Sequence, residues 1–216
     1  MDYVIALFRL FVATLALLGT KEIWLEGDLH GLVFFTNQTG FMLAAVMVWG
    51  AVAQVTRLRQ PPAWFKGAVV VFLVITALVS LFVLAPQASD APVLALGMTS
   101  GTIEHELNPF LAVVDFVLFD AHRRLRWRHA ALWLLYLVAY ASFTTIRAEL
   151  IATPDYPYGF VDLGALGWGG FLLNIAMYGV GFYVLGLAVV AIDRLLPARA
   201  LLGSAGRTAA SPTPTP

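Results

Sequence analysis

Long apolar runs separated by short polar punctuation dominate the chain, at about residues 3–19, 32–55, 66–86, 92–119, 130–148 and 168–196. Each is near or above the ~17–25 residues that a helix needs to cross the hydrocarbon of a bilayer, so the pattern predicts six transmembrane helices. These segments leave no stretch for a separate soluble domain. The predicted fold is therefore all-α: a polytopic membrane protein, one bundle of six spans occupying residues 1–198. Residues 199–216, which end in "GSAGRTAASPTPTP", have little to bury and are expected to form a disordered cytoplasmic tail. No internal repeat is found, and the first and fourth segments differ too much in polarity to be inverted halves of a transporter.

Composition strengthens this reading. Hydrophobic residues make up 60% of the chain and charged residues 12%, with mean hydropathy +0.83; soluble domains carry about twice that share of charge. The first segment has no basic leader and contains Asp2 and Arg9, so it is read as a retained span. Cysteine is absent, which excludes disulfides, thiolate ligands and a cysteine nucleophile. Arg57, Arg59 and Lys66, then Arg123, Arg124, Arg126 and Arg128, then Arg194, Arg199 and Arg207 fall in alternate connections. The intervening loops hold Glu22, Glu26, Asp28, Asp90, Asp155 and Asp162, with only Lys21 and, at the end of the fifth segment, Arg147 as basic residues. By the positive-inside rule both termini are cytoplasmic. Two lysines against eleven arginines suggest a GC-rich bacterial genome, and hence a plasma (inner) membrane location.

Polar residues inside the apolar runs are the next signal. "FFTNQT" sets Thr36, Asn37, Gln38 and Thr39 together at the head of the second segment. Headgroup solvation or helix capping explains most such residues. Four consecutive positions nevertheless sweep about 300° of a helix, so at least one side chain must point into the bundle. The fourth segment, "TSGTIEHELNPFLAVVDFVLF", carries Glu104, His105, Glu106, Asn108 and Asp115. Ionisable groups at membrane depth cost a few kcal/mol each and mark functional sites by default. Glu104, Asn108 and Asp115 share one helical face, with His105 about 100° round from it. Pro109 is expected to kink this helix beside the imidazole.

Three chemistries fit. "HELNP" begins like the zinc motif H-E-x-x-H, but Pro109 stands where the second histidine belongs, so no metal site is expected; a site joining His30 to His105 lacks any fixed spacing. A proton relay uses buried carboxylates and histidine. A hydroxyl nucleophile with a histidine base supports acyl transfer, here without the G-x-S-x-G elbow of an α/β-hydrolase. In the fifth segment Tyr136, Tyr140, Thr144 and Arg147 recur on one face. They read either as an interfacial belt or as a lining in which Arg147 receives a carboxylate. "YPYGFVDLGALGWGG" is aromatic enough to tuck back as a lid, and Asn174 either completes the polar lining or bonds a neighbouring helix.

Across about residues 30–190 the chain resembles the androgen-induced and androgen-dependent TFPI-regulating membrane proteins and their bacterial six-span relatives. The blocks that carry the resemblance are "FFTNQT", "HELNPFLAVVDFVLF" and "YPYGFVD". The animal members are membrane threonine hydrolases of fatty acid esters of hydroxy fatty acids. The resemblance therefore implies Thr36 as nucleophile and His105 as base. In the animal members the histidine stands one residue further from the proline, which leaves Glu104 competing for the place of His105. Asn37, Gln38 and Asn108 are candidate oxyanion donors, and Glu104, Glu106 or Asp115 candidate orienters of the imidazole. The expected activity is hydrolysis of lipid esters near the outer leaflet, without cofactor, metal or nucleic acid, with membrane lipids and a lipid ester as partners. The alternative is a non-enzymatic membrane protein, either a proton-linked transporter or a lipid-binding scaffold.

Overall fold

Residues 1–84, 97–151 and 154–203 are described by the structure, a computed structural model. They are helical, with no strand among the described residues. Helix α1 (Asp2–Gly19) ends at Thr20. The short α2 (Lys21–Trp24) and a 3-10 turn (Leu29–Val33), started by the Asp28 side chain accepting from the His30 N–H, lead into α3 (Phe35–Thr56). Arg57 ends α3 in the left-handed region at φ 58°, and Pro61 and Pro62 follow, which cannot extend a helix. Helix α4 (Ala63–Phe82) begins directly after Pro62.

The fourth apolar segment is the irregular one. It runs as α5 (Ser100–Thr102), one π-helical turn (Ile103–Leu107) and α6 (Asn108–Phe119). The Asn108 N–H reaches back five residues to the Ile103 carbonyl. Pro109, next in line, has no N–H and would crowd the carbonyl four residues before it. The chain widens the turn ahead of the proline, and the distortion expected at Pro109 takes that form. Helices α7 (Trp127–Leu150) and α8 (Leu163–Leu195) complete the chain, joined in part by a 3-10 turn at Gly159–Val161. Gly167, at φ 62° and ψ 171°, interrupts α8. Continuous helix thus resumes at residue 168, where the sixth apolar run was expected to start.

Among the described residues five helices, α1, α3, α4, α7 and α8, are long and apolar enough to cross a membrane. The expectation of six such helices is met only to that extent. The fourth segment is broken into three pieces and carries Glu104, Glu106 and Asp115. Parts of the predicted segments at residues 85–86 and 92–96, Asp90, and the tail from residue 204 lie outside the described residues. Residues 199–203, expected to begin a free tail, fold back instead: Leu202 donates its N–H to the Leu118 carbonyl at 2.8 Å, and Ala200 is buried.

Apolar contacts order the helices. Val12, Ala16, Leu43, Met47 and Leu73 join α1, α3 and α4 in one core. Phe35, Phe72, Phe116, Trp133 and Val190 join α3, α4, α6, α7 and α8 in another. Most of α7 and α8 faces outward, with large exposed apolar side chains such as Leu135, Leu173 and Val180. Surface of this kind suits a lipid solvent.

A closed charge network fills one end of the bundle. Arg9, 1% exposed, donates Nε to Asp115 Oδ1 at 2.8 Å, Nη2 to Asp120 Oδ1 at 3.1 Å, and Nη1 to Gln60 Oε1 and the Gly50 carbonyl, each at 3.2 Å. Lys66 pairs with Asp115 and, at 2.6 Å, with Asp120. Gln60 and Gln54 extend the network to Asp2. Two cations balance two carboxylates, which makes these charges tolerable away from water. Lys66, counted above with the basic connections, sits in the first turn of α4 and is buried.

Candidate active site

Thr36 stands in the first turn of α3. The preceding residue but one, Phe34, is extended (φ −80°, ψ 131°) and offers no side-chain cap. Four N–H groups at a helix start have no acceptor within the helix and need one elsewhere. Tyr140 supplies one: its hydroxyl accepts from the Phe35 N–H at 3.2 Å and donates to the Val33 carbonyl at 2.9 Å. Asn37 Nδ2 donates to the Gly31 carbonyl at 2.8 Å and Gln38 Nε2 to that of Leu32 at 2.7 Å. Gln38 Oε1 accepts from the Tyr136 hydroxyl. Thr39, fully buried, donates to the Thr36 carbonyl at 2.9 Å. Of the four polar neighbours, three secure the helix start and the fourth, Thr36, turns to the cavity.

His105 meets it from the π-helical turn. Its Nε2 lies 3.3 Å from Thr36 Oγ1, and its Nδ1 lies 3.0 Å from the Gly101 carbonyl. A carbonyl oxygen can only accept, so Nδ1 carries the proton and Nε2 presents its lone pair to the threonine hydroxyl. That is the tautomer a general base requires. The imidazole is oriented by a backbone carbonyl four residues away, and the carboxylate orienter expected from Glu104, Glu106 or Asp115 is not at this position.

A cavity of about 130 Å³ opens beside the pair. Thr36 and His105 stand in its wall with Tyr140 and Tyr158, and apart from Thr76 and Tyr178 the remainder is apolar, with Ile75 and Val79 of α4, Leu137 of α7 and Phe182 of α8 among the lining. The segment after α7 folds over it. Tyr158 and Phe160 stack at 5.2 Å, and both reach the cavity wall. Asn174 Nδ2 holds this cover by donating to the Phe160 carbonyl at 3.1 Å. Asn174 therefore anchors the cover and is not among the lining residues.

Other candidates lie elsewhere. The Glu104 side chain packs against Gly19 of α1, where a Cβ at that glycine would come within 2.7 Å of Glu104 Cγ. Glu104 thus faces α1, while His105, about 100° round the helix, faces α3. Asp115 also turns to α1 and belongs to the charge network, not to the cavity. Asn108 is buried, and neither atom of its amide finds a hydrogen bond among the described residues. Asn37 and Gln38 each donate to a carbonyl of the preceding turn, and neither is among the residues that line the cavity, so the placement does not favour either as an oxyanion donor. Arg147 points away from the cavity, bonding the Asp155 carbonyl at 2.9 Å and carboxylate at 3.4 Å, with His30 Nδ1 at 3.2 Å. The carboxylate-receiving role expected of Arg147 does not fit that placement. Among the described residues no three potential metal ligands come together.

Two features escaped the sequence reading. Gly101 acts through its carbonyl, which no side-chain pattern reveals. Tyr158 lies in "YPYGF", whose aromatic density was the available signal; the position within it was not. The chain matches no protein-family model, no curated protein and no solved structure.

Proposed function

We propose that this protein is an integral membrane hydrolase of lipid esters, with Thr36 as nucleophile and His105 as base. The observation that carries the reading is the 3.3 Å approach of Thr36 Oγ1 to His105 Nε2 at the edge of an apolar cavity. Nucleophile, base and orienter in sequence are the arrangement that activates a hydroxyl for acyl transfer. The apolar wall suits an acyl chain, and the polar end suits its ester carbonyl. Thr36 Oγ bonds to the carbonyl carbon as its proton passes to His105 Nε2. The tetrahedral adduct collapses, the alkoxide leaves with that proton, and an acyl-threonine ester remains. Water, deprotonated by His105, then attacks the acyl carbon; the acid leaves and Thr36 regains its proton.

In this reading residues 100–119 form the fourth span and bring the number to six, the arginine-rich connections face the cytoplasm, and the site opens toward the outer leaflet of the plasma membrane. The resemblance to the membrane threonine hydrolases points the same way. A proton-linked transporter would need Asp115 as a titrating relay, whereas Arg9 and Lys66 close around it. The test is labelling of the detergent-solubilised protein by a fluorophosphonate that reacts with activated hydroxyls. Wild type is expected to label, and Thr36→Ala and His105→Ala to lose labelling at unchanged expression. Equal labelling of all three would refute the assignment.

A further inference from the structure

We infer that Tyr158 is a further catalytic residue, whose phenolic hydroxyl, with the Thr36 backbone N–H, holds the oxyanion formed when Thr36 attacks an ester. The inference rests on the hydrolase reading above and adds the group that reading lacks, since Asn37 and Gln38 stand outside the cavity wall.

The geometry is local to the start of α3. Tyr158 lines the same cavity wall as Thr36, His105 and Tyr140, with its hydroxyl turned toward the first turn of α3, within interaction range of the Thr36 hydroxyl and the Phe35 and Thr36 backbone N–H groups. The Phe35 N–H already has the Tyr140 oxygen at 3.2 Å. The Thr36 N–H, second in the helix, has no carbonyl four residues before it that helix geometry lets it reach. An anion placed next to it also meets the positive end of the α3 dipole. Tyr158 is held for this task by its ring: it packs edge-on to Phe34 at 6.2 Å and stacks on Phe160, whose carbonyl Asn174 secures. Burial pushes the Tyr158 phenol above its ordinary value, so it keeps its proton at neutral pH and remains a donor.

During the step the carbonyl π pair moves onto oxygen as the Thr36 Oγ–C bond forms. Tyr158 shares its hydrogen with that oxygen without giving it up, and releases it when the carbonyl re-forms and the alkoxide departs. The Tyr158 proton never leaves the phenol, so the overall balance stays ester plus water to acid plus alcohol. Donors aimed at developing charge are worth about 10²–10³-fold in kcat when one is removed.

The experiment compares wild type, Thr36→Ala and Tyr158→Phe on a neutral medium-chain p-nitrophenyl ester in mixed micelles, with affinities for a trifluoromethyl ketone of the same chain and for the product acid. Tyr158→Phe keeps the ring and its packing. The expected result is a kcat lower by ~10²-fold with KM changed less than about 3-fold. Affinity for the ketone, whose adduct carries an oxyanion, should fall by a factor like that of kcat/KM, while affinity for the acid holds. A Tyr158→Phe enzyme with wild-type kcat, beside an inactive Thr36→Ala, overturns the inference and leaves the hydrolase standing. A raised KM with equal loss of ketone and acid affinity also overturns it, since that marks a cover and not a donor. A wild type that neither turns over nor labels overturns the hydrolase reading and this inference together.

Discussion

The two ends of the bundle both bury polar side chains, and they do so in opposite ways. At one end Arg9, Lys66, Asp115 and Asp120 saturate one another, and Gln54, Gln60 and the Gly50 carbonyl take up further donors and acceptors. At the other, Thr36 and His105 form a single contact between neutral groups, with an apolar cavity on the open side. The charged cluster has formal balance and little room, and the neutral pair has room and spare hydrogen-bonding capacity. Charge inside a bundle therefore does not by itself mark the chemistry. A buried ion network is costly to break and inert while intact, whereas a reactive site needs an unsatisfied lone pair aimed at space a substrate can fill.

Breaking the neutral pair should have the largest effect, and on activity alone. If Thr36 is the proposed nucleophile, Thr36→Ala is expected to lower kcat/KM by at least ~10⁴-fold, since its removal abolishes the covalent route. Its melting temperature should stay within a few degrees of wild type, because only one contact and no charge is lost. A variant that retains a tenth of wild-type turnover would merge the two ends into one kind of site.

The reverse is expected at the charged end. Asp115→Ala leaves Arg9 buried with Asp120 as its remaining carboxylate, shared with Lys66. Removing one member of a buried pair costs about 3–5 kcal/mol. Unfolding of the purified protein in detergent should therefore come at clearly lower temperature or denaturant, while turnover per folded molecule is unchanged. If folded Asp115→Ala lost turnover with undiminished stability, the proton-relay reading would regain its footing.

How much of this contrast the sequence discloses depends on which property is being asked for. Hydropathy locates the helices because lipid-facing and core-facing residues are both apolar here, and even the Gly167 break falls where the sixth apolar run begins. The same uniformity hides which polar residues meet. Glu104, Asn108 and Asp115 do follow one helical face, but a face says nothing about its partner. Arg9, read only as evidence against a signal peptide, turns out to be what Asp115 faces. The offset of His105 from that stripe was legible and is what turns it to α3 while Glu104 and Asp115 turn to α1. The antiparallel arrangement of α1 and α6 is long-range, and so invisible to periodicity. The positions of Gly101 and Tyr158 depend on the π-helical turn and on the returning segment, neither of which has a fixed spacing signature.

A smaller effect links fold to site through Tyr140. Its hydroxyl bridges the Phe35 N–H and the Val33 carbonyl, so Tyr140→Phe removes the hydrogen-bond partner that both groups share. The expected cost is about 1–3 kcal/mol of stability, read in the same unfolding assay. A drop in kcat is expected with it, because the first turn of α3 sets where Thr36 points. Loss of stability with full kcat would show that the helix start tolerates the change without moving the nucleophile.

Arg147→Ala should change least. The guanidinium is partly exposed at 23%, and its partners His30 and Asp155 are about half exposed. Exposed ion pairs are worth roughly 0–1 kcal/mol, so stability should fall by no more than that. The informative measurement is the ratio of KM values for two esters of the same chain, one with a free carboxylate at the far end and one with that carboxylate methylated. If Arg147 ties the segment at Asp155 to the turn at His30 and does nothing else, the substitution leaves this ratio unchanged. A selective rise of ~10-fold or more in KM for the charged ester, equivalent to about 1.4 kcal/mol, would mean that Arg147 leaves Asp155 to meet substrate. The site at that end would then hold a charge after all, supplied by the ligand, and the distinction between a neutral reactive end and a charged inert one would apply only to the empty protein.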